Sequence, residues 1–251
     1  MNRRSFLVHA AGLAGLCAVT RAARADGPAW GYDGANGPAR WGELSPDFAA
    51  CAQGREQSPV DLTRPAPAML PDPLVEWRPV PPRVSHTGRA IQVDAPGGGT
   101  MTLDGVRHDL RHYVFHHPGE HRVDGAGFAM EIQVVHQAES GALAILALPV
   151  VVGAANPGIE TIWRLLPDRP GETMVGPAPF DPATLLPDDR VSYRYAGSLT
   201  VPPCSEQVEW VVLRRPVAAS GAQVARLARL LPPNARPVQP LNRRKLLLDV
   251  L

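Results

Sequence analysis

The pattern of apolar and polar positions predicts a chain built mainly of short β-strands. Between His108 and His136, two runs alternate apolar and polar residues around a short glycine-containing connection at positions 124–127. Because this period of two is typical of strands, we predict two neighbouring antiparallel strands. A continuous apolar run, Gly141–Leu148, predicts a strand buried on both faces. Pro149 follows it and is expected to end it or to place it at an edge.

Helical signals are few. Ser220 is a candidate N-cap for a short helix with Val224, Leu227 and Leu231 on one face. The 28 prolines and 23 glycines are spread as turn signals between short apolar runs. No internal repeat or linker interrupts residues 26–251, so we predict one mainly β domain.

The first 25 residues have the features of an export signal. A twin-arginine motif in Asn2–Leu7 precedes an apolar run at Ala10–Val19 and a small-residue cleavage site at Ala23–Ala25. The apolar run is too short to span a membrane. These features predict a periplasmic protein exported by the twin-arginine pathway; the alternative is a cytoplasmic protein with an accidental basic start.

Charge and cysteine content narrow the function classes. Removing the signal takes four arginines and no acids, so the formal charge of +1 becomes −3. The sequence contains no basic patch, so nothing in it indicates nucleic acid or an anionic membrane as a partner. Two cysteines remain, Cys51 and Cys204, and an even count in an oxidising compartment favours a disulfide over two free thiols.

Histidines are concentrated on the first strand of the predicted pair. On a strand, side chains two residues apart share a face and are roughly 6.6 Å apart, so imidazoles at such positions can bind one Zn²⁺. His112, Val114 and His116 share one face by this alternation. His117 points to the other face.

These strands closely resemble the central strand pair of the α-class carbonic anhydrases. The match rests on Phe115, His116, Pro118, Glu120, His121, Met130, Glu131, Val135 and His136. Four other segments resemble signatures of that family, namely 30–41, 55–62, 195–206 and 234–242. The resemblance implies one domain around a large, twisted, mostly antiparallel sheet with short peripheral helices. It also implies a disulfide between Cys51 and Cys204.

The three zinc-ligand positions of the family fall on Val114, His116 and Gln133, so one imidazole of three is present. In that family the zinc lowers the pKa of its bound water to about 7, which allows hydroxide to attack CO₂. Valine donates nothing to a metal, and an amide oxygen suits hard cations better than Zn²⁺. We therefore expect weak or absent zinc binding. A substitute site from His112, His116 and either Gln133 or Glu131 is the alternative.

Other residues of the family's active site are retained. The resemblance implies that Thr200 donates a hydrogen bond to Glu120 and that Tyr32 lines the active-site water network. Glu131 also remains. Arg89 occupies the position of the proton-shuttle histidine, and arginine cannot relay protons near neutral pH. The implied apolar CO₂ pocket consists of Val135, Ile145, Leu199, Val208 and Trp210.

The sequence therefore leaves two functional hypotheses. The preferred one is a periplasmic relative of carbonic anhydrase that is catalytically impaired or inactive and acts as a binding or structural module. The alternative is an active zinc enzyme that interconverts CO₂ and bicarbonate, with His116 and substitute ligands holding the metal.

Overall fold

The computed structural model describes residues 29–250. The predicted twin-arginine signal and its cleavage site lie outside the described residues, so both stay predictions. No helix in the described range is long and apolar enough to cross a membrane.

The described chain contains fifteen strands and four short α-helices. The strands are β1 (Ala66–Ala68), β2 (Leu74–Trp77), β3 (Arg83–His86), β4 (Ile91–Asp94), β5 (Gly99–Leu103), β6 (Val106–His116), β7 (Arg122–Val123), β8 (Ala126–Gly127), β9 (Met130–Ala138), β10 (Leu143–Val152), β11 (Thr173–Val175), β12 (Ser192–Ser198), β13 (Glu206–Leu213), β14 (Val217–Ala219) and β15 (Leu247–Asp249). The helices are α1 (Trp41–Leu44), α2 (Ala50–Gln53), α3 (Pro157–Trp163) and α4 (Gly221–Leu230). Short 3₁₀ turns lie at Gly34–Asn36, Pro38–Arg40, Pro46–Phe48 and Pro182–Leu185.

Thirteen of the strands form one sheet, in the order β1-β15-β12-β13-β10-β9-β6-β4-β3-β11. Strand β14 pairs with β10, and β5 joins β2 to β6. Only the pairs β1–β15, β10–β13 and β10–β14 are parallel in the described sheet. The prediction of a large, mostly antiparallel sheet with short peripheral helices is confirmed.

The predicted strand pair is β6 and β9, and it lies at the centre of the sheet. The two strands are antiparallel, with Val114 opposite Gln133 and His116 opposite Glu131. The glycine-containing connection forms a small hairpin of its own, β7–β8, centred on Asp124 and Gly125. Gln133 and Val114 are therefore cross-strand neighbours, which brings two of the three ligand positions together.

The alternation along these strands separates two apolar clusters. Tyr113, Phe115, Ile132 and Val134 point into the larger cluster, which α3 and α4 cover through Trp163 and Leu227. The intervening positions of β9 and β10 point to the opposite face of the sheet. That face carries a second cluster containing Val135, Ile145, Val208 and Trp210.

The strand predicted from the run Gly141–Leu148 is β10, and it is almost completely buried. The expectation that Pro149 ends this strand or lies at an edge is wrong, because β10 continues to Val152. On one side Pro149 lies opposite Glu131 of β9. On the other side the partner changes from β13, which pairs up to Ala147, to β14, which pairs from Val150. The proline, which has no N–H to donate, falls within this gap.

Two local predictions are confirmed. Ser220 caps α4 in a capping box, with its side chain accepting from the backbone N–H of Gln223. Cys51 and Cys204 form a disulfide, which links α2 to the loop that follows β12.

We predict that replacing both cysteines by alanine lowers the free energy of unfolding by about 3 to 5 kcal/mol. The bridge joins residues 153 positions apart, and closing so long a loop strongly restricts the unfolded chain. Urea denaturation of the variant and of the oxidised protein measures the difference. Reduced wild-type protein is the control, because it should resemble the variant; equal stability of all three samples would contradict the prediction.

Candidate active-site cavity

A cavity of about 260 Å³ opens on the face of β6 and β9 that carries the predicted ligand positions. Strands β4, β6, β9 and β10, the segment 30–32 and the loop after β12 supply its walls. The lining residues are Trp30, Tyr32, Thr87, Arg89, Ala90, Gln92, His112, Val114, His116, Gln133, Val135, Ile145, Leu199, Thr200 and Val201. The sheet thus brings all three ligand positions to one cavity, as the resemblance implies.

His116 is held in one ring orientation. Its Nδ1 lies 2.8 Å from the backbone carbonyl oxygen of Asn234. Because a carbonyl only accepts, Nδ1 must carry the proton, and in the neutral ring Nε2 is then an acceptor. The imidazole is almost completely buried, so the position of Nε2 at the cavity is fixed.

Gln133 is held by two carboxylates. Its side-chain Nε2 donates to Glu120 Oε2 at 2.6 Å and to Glu131 Oε1 at 3.0 Å. Carboxylates only accept, so the amide nitrogen must face them and both of its hydrogens are used. The carbonyl oxygen Oε1 is the remaining polar atom of the Gln133 head group.

These residues do not fit a catalytic zinc ion. Such sites use three protein ligands, usually imidazole, carboxylate or thiolate. Here Val114 offers no donor and Gln133 offers only a neutral amide oxygen. The alternative partner His112 also lines the cavity, but it lies four residues from His116 along β6, which is about 13 Å on a strand. Within residues 29–250, no three His, Cys, Asp or Glu side chains are grouped for metal binding.

Glu131 belongs to a buried chain of hydrogen bonds. It accepts from His121 Nδ1 at 2.9 Å, and His121 Nε2 lies 2.7 Å from the hydroxyl of Tyr195. The same hydroxyl lies within hydrogen-bond distance of Ser58 Oγ, which extends the chain to the segment before β1. Burial alone would raise the pKa of Glu131. The charge and hydrogen bonds of His121, with the bond from Gln133, instead lower this pKa to about 2.

Glu120 has different partners from the expected one. Its two oxygens accept from Gln133 Nε2 and from the backbone N–H of Arg236 at 2.8 Å. The Thr200 hydroxyl makes no hydrogen bond with Glu120 in the described structure, although Thr200 lines the cavity. Gln133 therefore takes the acceptor that the resemblance assigns to Thr200.

The loop that carries Thr200 is fixed from outside the cavity. Leu199 N–H donates to the Ser205 carbonyl, and Gln57 Nε2 donates to the Cys204 carbonyl. Gly197, just before the loop, packs so closely that a Cβ there would lie 2.2 Å from Ser58 Oγ. These contacts hold Leu199 and Thr200 against the cavity.

Three of the five residues predicted for the apolar pocket line the cavity. Val135, Ile145 and Leu199 form part of its wall together with Val114. Val208 and Trp210 lie behind them in the second apolar cluster. Val201 extends the wall.

The outer part of the cavity is aromatic and carries one fixed cation. The Arg89 guanidinium lies 4.3 Å from the centre of the Trp30 ring, and Arg89 Nε donates to the Trp30 carbonyl at 2.8 Å. Tyr32 packs edge-to-face on Trp30. Burial, and secondarily the negative charge of Glu120, raises the pKa of Tyr32, which keeps its hydroxyl protonated. His112 also lines the cavity, and burial lowers its pKa.

Sequence reasoning missed the positioning role of Asn234. Its backbone carbonyl orients His116. Its side chain accepts from His117 N–H and donates to the carbonyls of Arg89 and Phe115. Arg236 binds Glu120 through its backbone and the carbonyl of Cys51 through its guanidinium. The signature at 234–242 was the available signal, but a sequence match does not show which atoms meet.

Fold and cavity together define a protein of the carbonic anhydrase type. The family model for eukaryotic-type carbonic anhydrase matches residues 36–249. The chain therefore belongs to this family, the α-class carbonic anhydrases.

Curated relatives are similar along most of their length. A carbonic anhydrase of Nostoc sp. (strain PCC 7120) is 40% identical over 232 residues, covering 90% of this chain and 88% of the relative. A carbonic anhydrase of Neisseria gonorrhoeae is 39% identical over 229 residues, covering 90% of each chain.

Solved structures agree with the fold. The α-carbonic anhydrase of Thermovibrio ammonificans in complex with the inhibitor sulfanilamide has a TM-score of 0.86 at 40% identity, over 88% of this chain and 99% of that one. Dioscorin complexed with ascorbate has a TM-score of 0.82 at 30% identity, over 88% and 97%.

We predict that Glu131→Gln lowers the free energy of unfolding by about 3 to 5 kcal/mol near neutral pH. The substitution removes the carboxylate that accepts from the backbone N–H and from Nδ1 of His121, and breaking a buried pair in this way is typically destabilising by this amount. The pKa of Glu131 is lowered to about 2 from the ordinary 4.5. Its stabilising contribution is therefore full above pH 4.5 and is lost as the pH falls towards 2.

Urea denaturation between neutral pH and pH 3 tests this prediction. The variant should lose less stability on acidification than the wild-type protein. Glu139→Gln is the matched control, because Glu139 is an exposed residue of the turn that follows β9, and it should change stability little. A Glu131→Gln variant as stable as this control would contradict the assigned ion pair.

Proposed function

We propose that this protein is a carbonic anhydrase family member that has lost the catalytic zinc and uses the retained cavity to bind a small molecule. The observation that carries the proposal is the pair of hydrogen bonds from Gln133 Nε2 to Glu120 and Glu131. At the third ligand position, an amide that is hydrogen-bonded within the protein therefore lies where the family has a metal-binding imidazole.

The second substitution supports the same conclusion. Val114 lies directly opposite Gln133 and lines the cavity with an apolar side chain. A zinc ion bound there would have His116 as its only strong protein ligand. Loss of even a residue that orients a ligand costs roughly 10- to 100-fold in affinity or activity, and loss of two ligands should cost more.

A binding role is supported by what remains of the cavity. Its volume of about 260 Å³ is near the lower end for ligand sites, and its apolar walls surround a few polar groups. Dioscorin, of the same fold, has been solved with ascorbate. Binding of a small organic molecule is thus compatible with this architecture.

The alternative is an active carbonic anhydrase, acting on CO₂ and bicarbonate, in which His116 and substitute ligands hold zinc. The retained Thr200 and apolar wall of Val135, Ile145 and Leu199 favour this reading, as do the names of the bacterial relatives. It requires a rearrangement that frees Gln133 or Glu131 from the buried hydrogen bonds described above.

We also propose a periplasmic location after twin-arginine export. The signal features of residues 1–25 carry this proposal. The Cys51–Cys204 disulfide supports it, because such bonds persist in oxidising compartments.

We predict that the purified protein, loaded with Zn²⁺ and freed of loosely bound metal, retains close to zero zinc per chain. Metal analysis by atomic emission measures this stoichiometry, and a stopped-flow assay of CO₂ hydration should give the buffer rate. One zinc per chain, lost in His116→Ala, would instead support the active enzyme.

We further predict that Val114→His combined with Gln133→His creates a site for one zinc ion. The new imidazoles would join His116 on the same cavity face, and Glu131 could accept from the new imidazole at position 133. Hydration should rise above the buffer rate but stay limited, because Arg89 cannot serve as a proton shuttle.

A triple variant that adds His116→Ala is the matched control and should lose the metal. Failure of the double variant to bind zinc while remaining folded would contradict the placement of the ancestral metal site.

A further inference from the structure

The floor of the cavity presents hydrogen-bond acceptors. His116 Nδ1 donates to the Asn234 carbonyl, which leaves Nε2 as an acceptor in the neutral ring. Gln133 donates both amide hydrogens to Glu120 and Glu131, which leaves its Oε1 as a second acceptor. Oε1 makes no hydrogen bond to another residue in the range 29–250. Whatever binds at this floor must therefore supply N–H or O–H donors.

The carboxylates behind the floor already have partners. Glu120 and Glu131 lie directly behind Gln133, and both are almost completely buried. Glu120 accepts from the Gln133 amide and the Arg236 backbone. Its charge also interacts with the Arg236 guanidinium, and its Oε1 lies 3.7 Å from His116 Nδ1. A ligand carboxylate would thus place its oxygens against the acceptor Gln133 Oε1 at this floor.

The fixed cation of the cavity, Arg89, is held by Trp30. Arg89 is anchored on Trp30 through its Nε and its ring stacking. It also lines a second depression with Gly88, Asp33 and Pro232, so it stands between the cavity and that outer surface. Its charge is therefore available to groups at the mouth.

Thr200 supplies a further polar group to the cavity. Thr200 lines the cavity, and its hydroxyl has no hydrogen-bond partner among the described residues. The Glu120 carboxylate, which would be its acceptor, accepts from Gln133 instead. The hydroxyl can thus donate to a carbonyl oxygen of a ligand. Val135, Ile145 and Leu199 offer an apolar wall for a short hydrocarbon body.

We propose that the cavity selects a small, neutral primary carboxamide over the corresponding carboxylate. The amide N–H₂ would donate to His116 Nε2 and Gln133 Oε1, its carbonyl would accept from Thr200, and its alkyl group would contact the apolar wall. This inference rests on the proposed loss of zinc, because a metal ion at the floor would reverse the preference towards anions.

Isobutyramide and isobutyrate test the inference, because they have the same shape and differ in the N–H₂ group and the charge. Binding of each is followed by NMR titration of the full mature chain, treated with a chelator, at a pH of about 8. Isobutyramide should bind at least about tenfold more tightly than isobutyrate, because the oxygens of isobutyrate cannot donate to the acceptor atoms of the cavity floor. Equal or tighter binding of isobutyrate, or no saturable binding of isobutyramide, would overturn the inference.

Variants locate the binding site. Thr200→Val, which removes only the hydroxyl, should weaken isobutyramide severalfold, and Leu199→Phe should abolish binding by filling the cavity. Thr161→Val is the matched control, because Thr161 is exposed on α3, and it should bind as the wild type does. Saturable binding unaffected by both cavity substitutions, with folding verified by circular dichroism, would also overturn the inference.

Zinc analysis of the same protein separates the two proposals. Stoichiometric zinc before chelation would refute the proposed function. A zinc-free protein that prefers isobutyrate would refute the carboxamide preference alone.

Discussion

Two buried carboxylates, Glu120 and Glu131, set the constraint on which the site depends. Each must be supplied with donors, because an unsatisfied buried acceptor costs about 1 to 3 kcal/mol and a charged one costs more. His121 and the Arg236 backbone satisfy part of this demand. The backbone N–H groups of Glu120 and His121 also donate to Glu131. Gln133 adds one amide group that donates to both acids. The residue at the third ligand position is thus a structural donor, and its bonds tie β9 to the loop that follows β6.

The same alternation of side chains builds the core and the cavity. In β6, Tyr113 and Phe115 enter the larger apolar cluster, while the intervening His112, Val114 and His116 face the cavity. In β9 the cluster takes Ile132 and Val134 and the cavity takes Gln133 and Val135. A register shift of one residue would exchange these faces. Core packing therefore fixes the geometry of the cavity even though Val114 and Gln133 occupy two of the three ligand positions.

Much of the fold could be predicted from local sequence, and less of the site. The β6–β9 pair, the cap of α4 by Ser220 and the disulfide follow from short-range patterns or from cysteine count. The error at Pro149 arose because the tolerance of a strand for proline depends on which strands flank it, and that is a property of the whole sheet.

The partners of Glu120 were not predictable from a pattern of matching residues. The family pattern assigned Thr200 to it, but the free hydrogens of an amide at position 133 compete for the same oxygen. Similarly, Val208 and Trp210 match pocket positions, yet they lie behind the wall. Which side chain reaches an acceptor or a cavity depends on how segments that are distant in sequence pack against one another.

The two ligand-site substitutions therefore have unequal consequences. Val114 removes a ligand without creating a new interaction, so a histidine there would restore one donor and disturb only an apolar wall. Gln133 removes a ligand and also takes over the hydrogen bonding of Glu120, which leaves the Thr200 hydroxyl without that acceptor. Placing imidazoles at both positions would thus also break two buried hydrogen bonds at Gln133. The amide at position 133, more than the valine opposite it, distinguishes this set of residues from a three-histidine zinc site.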